Sequence, residues 1–405
     1  MDLYLTDAHL ELRDSVRAFA QDEIAPIARE HDEQSRFPWQ TVRGMADRGW
    51  FGANVPEQYG GLGLDTLSYM LIIEELARVD VSHSITISAH NTLGVSPILN
   101  FGSDDQKRRF LPFLTRRVLG GFGLTEPGAG SDAGATRTTA VREGDSYRVT
   151  GSKIFITHAG VGEVFVATAV TDRSKGVKGI TSFIVTKETT DREAAESVGF
   201  GHAPELEPFT PGVRSGKKED KMGWRASDTR ELILEDAVVP AADRLGEEGQ
   251  GFINFMKTLD AGRIGIGALS LGLAQGAFDT CVEYAGGRQL DGAPMKDAQG
   301  VQFTLADMAT EISAARHLVY HAAWLKENGR SFTVEASKAK LYASELAMRT
   351  TTRAVQFLGA AGYTSEYPVE RMMRDAKICE IGEGTSEVQR LVIGRSLFRT
   401  AAASA

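Results

Sequence analysis

Cysteine is scarce in this chain. Only Cys281 and Cys379 occur among 405 residues, in unrelated segments. Neither a disulfide framework nor a metal-ligand pair follows, no metal is expected, and a reducing, cytoplasmic setting is the expectation. Basic charge is short as well: the formal net charge is −9 with no basic stripe to offset it, which argues against nucleic acid as the main partner. No apolar run reaches the roughly 18 residues that cross a bilayer, so no membrane association is expected. The opening Met1-Asp2-Leu3-Tyr4-Leu5 has no basic patch leading into an apolar core and does not read as a signal peptide. There is no convincing internal repeat and no low-complexity linker. What is present is an ordinary globular composition, 42% hydrophobic and 24% charged, at a length that can hold two or three domains.

Residues 1–118 read as helices. Leu10, Val16, Phe19, Ala20 and Ile24 lie near one helical face, and Pro26 kinks or ends that helix. A glycine-rich turn over 56–63 precedes a second helix expected from Asp65 to near Asp80. From about Leu119 the signal changes to strands: 163–170, 180–185 and 231–234 are rich in β-branched residues, and turns such as Glu143-Gly144-Asp145 separate such runs. This predicts an antiparallel β domain over 119–239. Within it, residues 188–212 lack periodicity and read as a long surface loop. The helical period returns over 240–405, first in a small-residue-rich helix at 252–284, then at about 300–327, 333–358 and 385–399. The expected fold class is mainly α with a central β domain.

Three segments carry candidate chemistry. Gly382-Glu383-Gly384 sets a carboxylate between two glycines before a helix, with Ser386 and Gln389 spaced as a capping box. Flexible neighbours let Glu383 approach a ligand, and burial would lift it into the range of a general base; otherwise it is a solvated loop acid. The run from Phe122 to Asp132 ends a strand in tiny residues whose backbone amides can approach phosphate, with Thr125 and Ser131 adding hydroxyls; otherwise it is a plain turn. No helix pattern follows, so it is not a parallel-sheet dinucleotide fingerprint. Gly151-Ser152-Lys153-Ile154-Phe155-Ile156-Thr157-His158 puts an aromatic and a hydroxyl at alternate strand positions, suited to covering a flat ring or to core packing.

The order and spacing of "NVPEQYGGLGLD", "GLTEPGAGSDAGA", "GSKIFITHAG", "KKEDKMGWRASDTREL", "GLAQGAFDTCVEYA", "EYPVERMMRDAKI" and "GEGTSEVQR" resemble the acyl-CoA dehydrogenase family over essentially the whole chain. Each string is weak alone; their joint order is specific. The resemblance implies an N-terminal helical domain, a middle β domain and a C-terminal four-helix bundle. It implies an FAD cofactor, an acyl-CoA substrate, an electron-transferring flavoprotein as partner and a homotetramer built as a dimer of dimers. Glu383 matches the family's base, which removes the proton next to the thioester carbonyl on the way to a trans-2-enoyl-CoA. Phe122, Leu124, Thr125, Gly130 and Ser131 match the flavin loop, with Ser131 also near substrate; Phe155, Ile156 and Thr157 match residues flanking the ring system. Arg288, Gln299, Gln356, Gly359 and Ala360 match residues that reach a neighbour's FAD, and Thr385 and Glu387 complete the nucleotide site. Asp260, Arg263, Gly382 and Gly384 match acyl-CoA contacts.

Departures from the family pattern are Phe155 where Trp is frequent, Asp291 for Phe, Ala360 for Gly, Gly382 for Tyr beside the base, and a longer segment at 188–212. Gly382 leads to the expectation of an acyl group bulkier near its reacting carbons than a short straight chain. An oxygen-using acyl-CoA oxidase and a non-catalytic CoA-binding assembly subunit stay open as alternatives.

Overall fold

Apolar residues at spacings of three and four turn the first part of the chain into helices: α1 (Asp7–Phe19), α2 (Ala25–Glu33), α3 (Trp39–Asp47), α4 (Thr66–Ala77), α5 (Val81–Ala89), α6 (Ser96–Phe101) and α7 (Asp104–Leu114). The structure, a computed structural model, describes residues 5–403, with side chains to residue 398; the opening residues 1–4, read above as no signal peptide, lie outside it. Pro26 does not end the first helix. A π-turn over Ala20–Ile24 carries the chain onward, and Pro26 sits in the first turn of α2, where its missing N–H costs little. Asp65 caps α4 by accepting from Ser68 N at 2.7 Å. That helix stops at Ala77, and Asp80 caps α5 as a separate helix. Every residue of α4 and α5 is buried, so this pair forms the inner layer of the domain.

The β domain contains β1 (Gly120–Gly123), β2 (Thr139–Glu143), β3 (Ser146–Thr157), β4 (Val164–Val170), β5 (Ile180–Thr186), β6 (Val213–Lys218), β7 (Thr229–Pro240) and β8 (Arg244–Leu245). They form one sheet in the order β6-β7-β3-β2-β4-β5-β8, with β1 on β4. The sheet is mixed rather than antiparallel: β1 runs parallel to β4 from Gly120↔Val164 to Gly123↔Ala167, and β2 meets β4 in parallel at Thr139↔Val170. The β2–β3 hairpin intervenes between β1 and β4, and a crossover of that length lets the two run the same way. Residues 188–212 are also not a surface loop. They include α8 (Arg192–Val198), bury Ala195, Phe200 and Ala203, and bring His202 Nδ1 to within 2.7 Å of the buried Glu163.

The C-terminal part is helical: α9 (Gly251–Gly287), α10 (Gln299–Glu327), α11 (Thr333–Leu358), α12 (Ala360–Tyr363), α13 (Val369–Cys379) and α14 (Ser386–Ala403). Sequence reading missed α13, whose buried Val369, Met372, Ala376 and Cys379 are masked by five intervening charges, Glu370, Arg371, Arg374, Asp375 and Lys377. α9 is 37 residues long, about 55 Å. Its glycines permit backbone contact: a Cβ on Gly272 would lie 2.1 Å from Glu74 O, and one on Gly276 2.1 Å from Arg78 O. Between α9 and α10, β9 (Gln289–Leu290) and β10 (Ala293–Pro294) form a hairpin. Asp291 and Gly292 both have positive φ in its two-residue loop, the conformation that Asp-Gly favours. No helix among the described residues is long and apolar enough to cross a membrane.

Candidate active site

α13 ends at Cys379 and α14 begins at Ser386; the chain between them turns tightly, with Ile381 N and Gly382 N donating to Ile378 O at 2.9 and 2.8 Å. Glu383 and Gly384 follow with φ of +52° and +94°. For a glutamate that conformation costs on the order of 1–2 kcal/mol and persists only where its surroundings impose it. The expected capping box does not form. Thr385 Oγ1 accepts from Val388 N at 3.3 Å, while Ser386 Oγ is buried without a partner among the described residues. Gln389 instead reaches back, its Nε2 donating to Gly384 O at 2.8 Å. A Cβ on Gly384 would lie 2.8 Å from that nitrogen, so only glycine admits the contact.

The Glu383 carboxylate turns toward α9. A Cβ on Gly262 would fall 2.0 Å from Glu383 Oε2, so the missing side chain of Gly262 is the space the carboxylate occupies. Glu383 as a whole is half-buried, but Oε2 is enclosed and makes no hydrogen bond among the described residues. Burial pushes the carboxyl up to about 7, against the pull of the Lys340 and then the Arg263 charge. Arg263 is buried and pairs with Asp260, Nη1 to Oδ1 at 2.5 Å; Asp260 Oδ2 accepts from Thr333 Oγ1 at 2.7 Å. This is an ion pair within one helix that also flanks Glu383. Tyr69, from α4, donates to Ser88 O at 3.2 Å and feels the Glu383 charge.

The β domain approaches the same face of α9. Phe122, at the end of β1, stacks on Phe255 with ring centroids 5.5 Å apart at 20°. Phe255 and Gly262 are seven residues apart, two helical turns or about 10 Å. The aromatic pair and the Glu383 carboxylate therefore share one helix face. Beyond Phe122, Leu124 and Thr125 are half-buried, Gly130 and Ser131 are exposed, and a Cβ on Gly130 would meet nothing within 4 Å. Glu126 anchors this loop from beneath: its carboxylate is buried, accepts from Arg137 N and Thr138 N at 2.6 and 3.0 Å, and pairs with Lys153 Nζ at 2.7 Å.

On β3 a register shift between Lys153 and Ile156 breaks the simple alternation. Lys153 and Ile156 both turn into the domain, Ile156 joining its apolar core, so only the Ile156 backbone is free to meet a ligand. Phe155 adopts φ +58° and stands 62% exposed, and Thr157 is half-buried. An uncovered aromatic ring beside an open loop of tiny residues, hydroxyls and free amides fits a phosphate-bearing cofactor with a flat ring, which FAD is.

Other expected residues lie apart. Arg288 is 26 positions beyond Gly262, about 39 Å along α9. It stacks over Tyr284 at 4.6 Å, and Tyr284 donates to Leu358 O beside Gly359. Gln299, Gln356, Gly359 and Ala360 are exposed. Within one chain, Gly382, Glu383, Gly384, Thr385, Asp260 and Arg263 come together and the Arg288 group does not join them; Glu387 is exposed just past Glu383. Gly262, Lys340 and the true role of Gln389 escaped sequence reading. A usable signal existed for Lys340: it stands at helical spacing with Ala336, Ala343 and Ala347, a cation on a small-residue core stripe.

Models of the acyl-CoA dehydrogenase N-terminal, middle and C-terminal domains match residues 6–117, 121–237 and 249–398. A short-chain-specific acyl-CoA dehydrogenase of Clostridium acetobutylicum is 48% identical over 400 residues, covering 98% of this chain and 100% of that protein. The human mitochondrial short-chain-specific acyl-CoA dehydrogenase is 45% identical, covering 98% and 91%. The structure of butyryl-CoA dehydrogenase from Megasphaera elsdenii has a TM-score of 0.91 at 44% identity, covering 98% of this chain and 100% of that one. A chain in the structure described as the electron transferring flavoprotein of Acidaminococcus fermentans has a TM-score of 0.92 at 45% identity, covering 98% and 100%. With three domain models matched in order along nearly its full length, this chain belongs to the acyl-CoA dehydrogenase family.

Proposed function

We propose that this chain carries out FAD-dependent α,β-dehydrogenation of a short-chain acyl-CoA thioester to the trans-2-enoyl-CoA and passes the electrons to an electron-transferring flavoprotein. The observation that carries the reading is Glu383, a carboxylate whose Oε2 is enclosed with no hydrogen-bond partner among the described residues and which burial holds near neutrality, where it can both take and release a proton. Glu383 removes the proton from the carbon next to the thioester carbonyl. The Gly384 N–H is suited to donate to that carbonyl as negative charge develops on it. FAD, when bound, supplies the two-electron acceptor for the hydride from the neighbouring carbon. Phe122, Leu124, Thr125, Gly130, Ser131, Phe155 and Thr157 of this chain would hold it. The short acyl chain is supported by the names of the relatives, and the electron acceptor by the neighbour described with an electron transferring flavoprotein. We place the reaction in the cytoplasm.

The same reading includes a homotetramer, in which Arg288, Gln299 and the Gln356–Ala360 segment reach a neighbour's FAD; their distance from Glu383 within one chain supports this. A second reading of the substrate rests on Gly382. A Cβ there would meet only Ile378 O at 3.5 Å and Ile378 Cγ1 at 4.0 Å, so the position has room that a bulkier acyl group could use.

The deciding experiment is anaerobic flavin reduction by butyryl-CoA. In the wild type the rate should climb with pH through about 7, because the raised carboxyl must lose its proton before it can act. Glu383→Gln should keep FAD and bind acyl-CoA, yet lose reduction by several orders of magnitude at every pH. Reduction at a near wild-type rate would sink the assignment and point to another acid, with Asp260 the nearest candidate on α9.

A further inference from the structure

Lys340 is fully buried on α11, among Ala336, Ala339, Ala343 and Ala347. Among the described residues its ammonium makes one hydrogen bond, to Gly384 O at 2.8 Å, and no ion pair. A buried cation with so few partners is a poor device for stability, since an apolar side chain of similar length fills such a site at less desolvation cost. Its surroundings suggest what it does instead. Gly384 O receives a second donor, Gln389 Nε2, also at 2.8 Å, so the peptide following the base is pinned from two helices, α11 and α14. The charged and titratable groups facing Lys340 are Glu383 and Glu380 from the turn, Cys379 from α13, Arg263 from α9 and Glu387 from α14. Arg263 is already paired to Asp260 at 2.5 Å, and Glu380 to Lys377 at 2.6 Å. Glu387 is exposed to solvent and also feels Arg390, so Glu383 is the enclosed acid left facing a cation with no ion pair among the described residues.

We propose that Lys340 is a positioning residue for the base: its buried ammonium fixes the Gly384 carbonyl and supplies the counter-charge under which Glu383 ionises. This rests on the reading of Glu383 as the base and deepens it. Burial pushes the Lys340 ammonium down to about 8, so it is mostly charged at the midpoint of Glu383. Removing the charge leaves Glu383 with the desolvation and less of the compensation, which raises its midpoint.

The test is an infrared titration of the carboxyl band in protein carrying carbon-13-labelled glutamate, with Glu383→Gln identifying the band. The wild-type midpoint should lie near 7. In Lys340→Met and Lys340→Gln it should rise by about one unit, flavin reduction at pH 7 should fall roughly fivefold, and the rate should recover near pH 9. Lys340→Arg, which keeps the charge, should hold the midpoint. If Lys340→Met does not fold, Lys340→Gln decides, since it keeps a donor while losing the charge. A midpoint unmoved in Lys340→Gln, or a rate loss independent of pH, overturns the proposal. The titration needs no turnover, so a shifted midpoint together with an active Glu383→Gln would leave the coupling of Lys340 to Glu383 standing and remove only the base assignment.

Discussion

At the scale of single residues, two glycines decide what Glu383 can do, in opposite ways. Gly262 makes room for the carboxylate: a methyl group there would lie 2.0 Å from Oε2. Gly262→Ala is therefore expected to displace the base with little harm to α9, since alanine is the better helix former. Flavin reduction should fall at least 100-fold while Tm holds within a few degrees. An unchanged rate would show that the carboxylate has other places to go. Gly382 has the reverse character, with ordinary contact distances around a built Cβ and no left-handed backbone. Gly382→Tyr should fold normally, and its effect separates the two substrate readings. If the space holds acyl carbons, kcat/KM for branched or aryl-substituted acyl-CoAs should drop far more than for butyryl-CoA. If butyryl-CoA is the preferred wild-type substrate and all acyl-CoAs fall together, the space goes unused.

At the scale of elements, β3 shows what a sequence hides. Alternation put Phe155 and Thr157 on one face, and that much was legible: Phe155 is exposed and Thr157 half-buried. The register shift between Lys153 and Ile156 was not, because the extra residue of a bulge looks like any other strand position. Lys153 faces inward by ordinary alternation, and the shift turns Ile156 to the same side. Lys153 there meets Glu126, whose carboxylate is held at about 2: burial opposes ionisation, but Lys153 and the Thr136 and Thr138 hydroxyls outweigh it. Lys153→Met should then cost about 3–5 kcal/mol, as a buried carboxylate loses its counter-charge. Urea unfolding of Lys153→Met, with Lys153→Met/Glu126→Leu recovering part of the loss, measures this; a cost under 1 kcal/mol would mean that the hydroxyls and amides suffice. The helix–strand–helix order was legible from periodicity alone, whereas α13 and the segment 188–212 were not. Their buried positions are few and interleaved with charge, and their partners come from distant parts of the chain. The loop before α14 was legible in part: the glycines around Glu383 stand out, but which hydroxyl caps α14 depends on a one-residue difference in where the helix begins.

At the scale of the molecule, one chain leaves much apolar surface on its C-terminal part. Phe303, Tyr363, Leu397 and Phe398 are 61%, 82%, 63% and 79% exposed, with Leu391 and Ile381 also outward. Uncovered side chains of this size on α10, α12 and α14 are surface that the proposed tetramer would cover. The purified protein is expected to be a tetramer by light scattering, and Leu397→Asp/Phe398→Asp should dissociate it and release FAD together. A monomer that keeps stoichiometric FAD would refute the arrangement. The stacking of Phe122 on Phe255, two helical turns from Gly262 on α9, has a further consequence. Backbone insertions cannot adjust that interval gradually: one extra residue would swing Gly262 about 100° around the helix axis, and restoring its facing takes a full seven. The span between aromatic pair and base is quantised by the helix itself. Substrate range in a chain built this way must therefore drift through the volumes of side chains around a fixed frame, one substitution at a time, and not through changes in the frame.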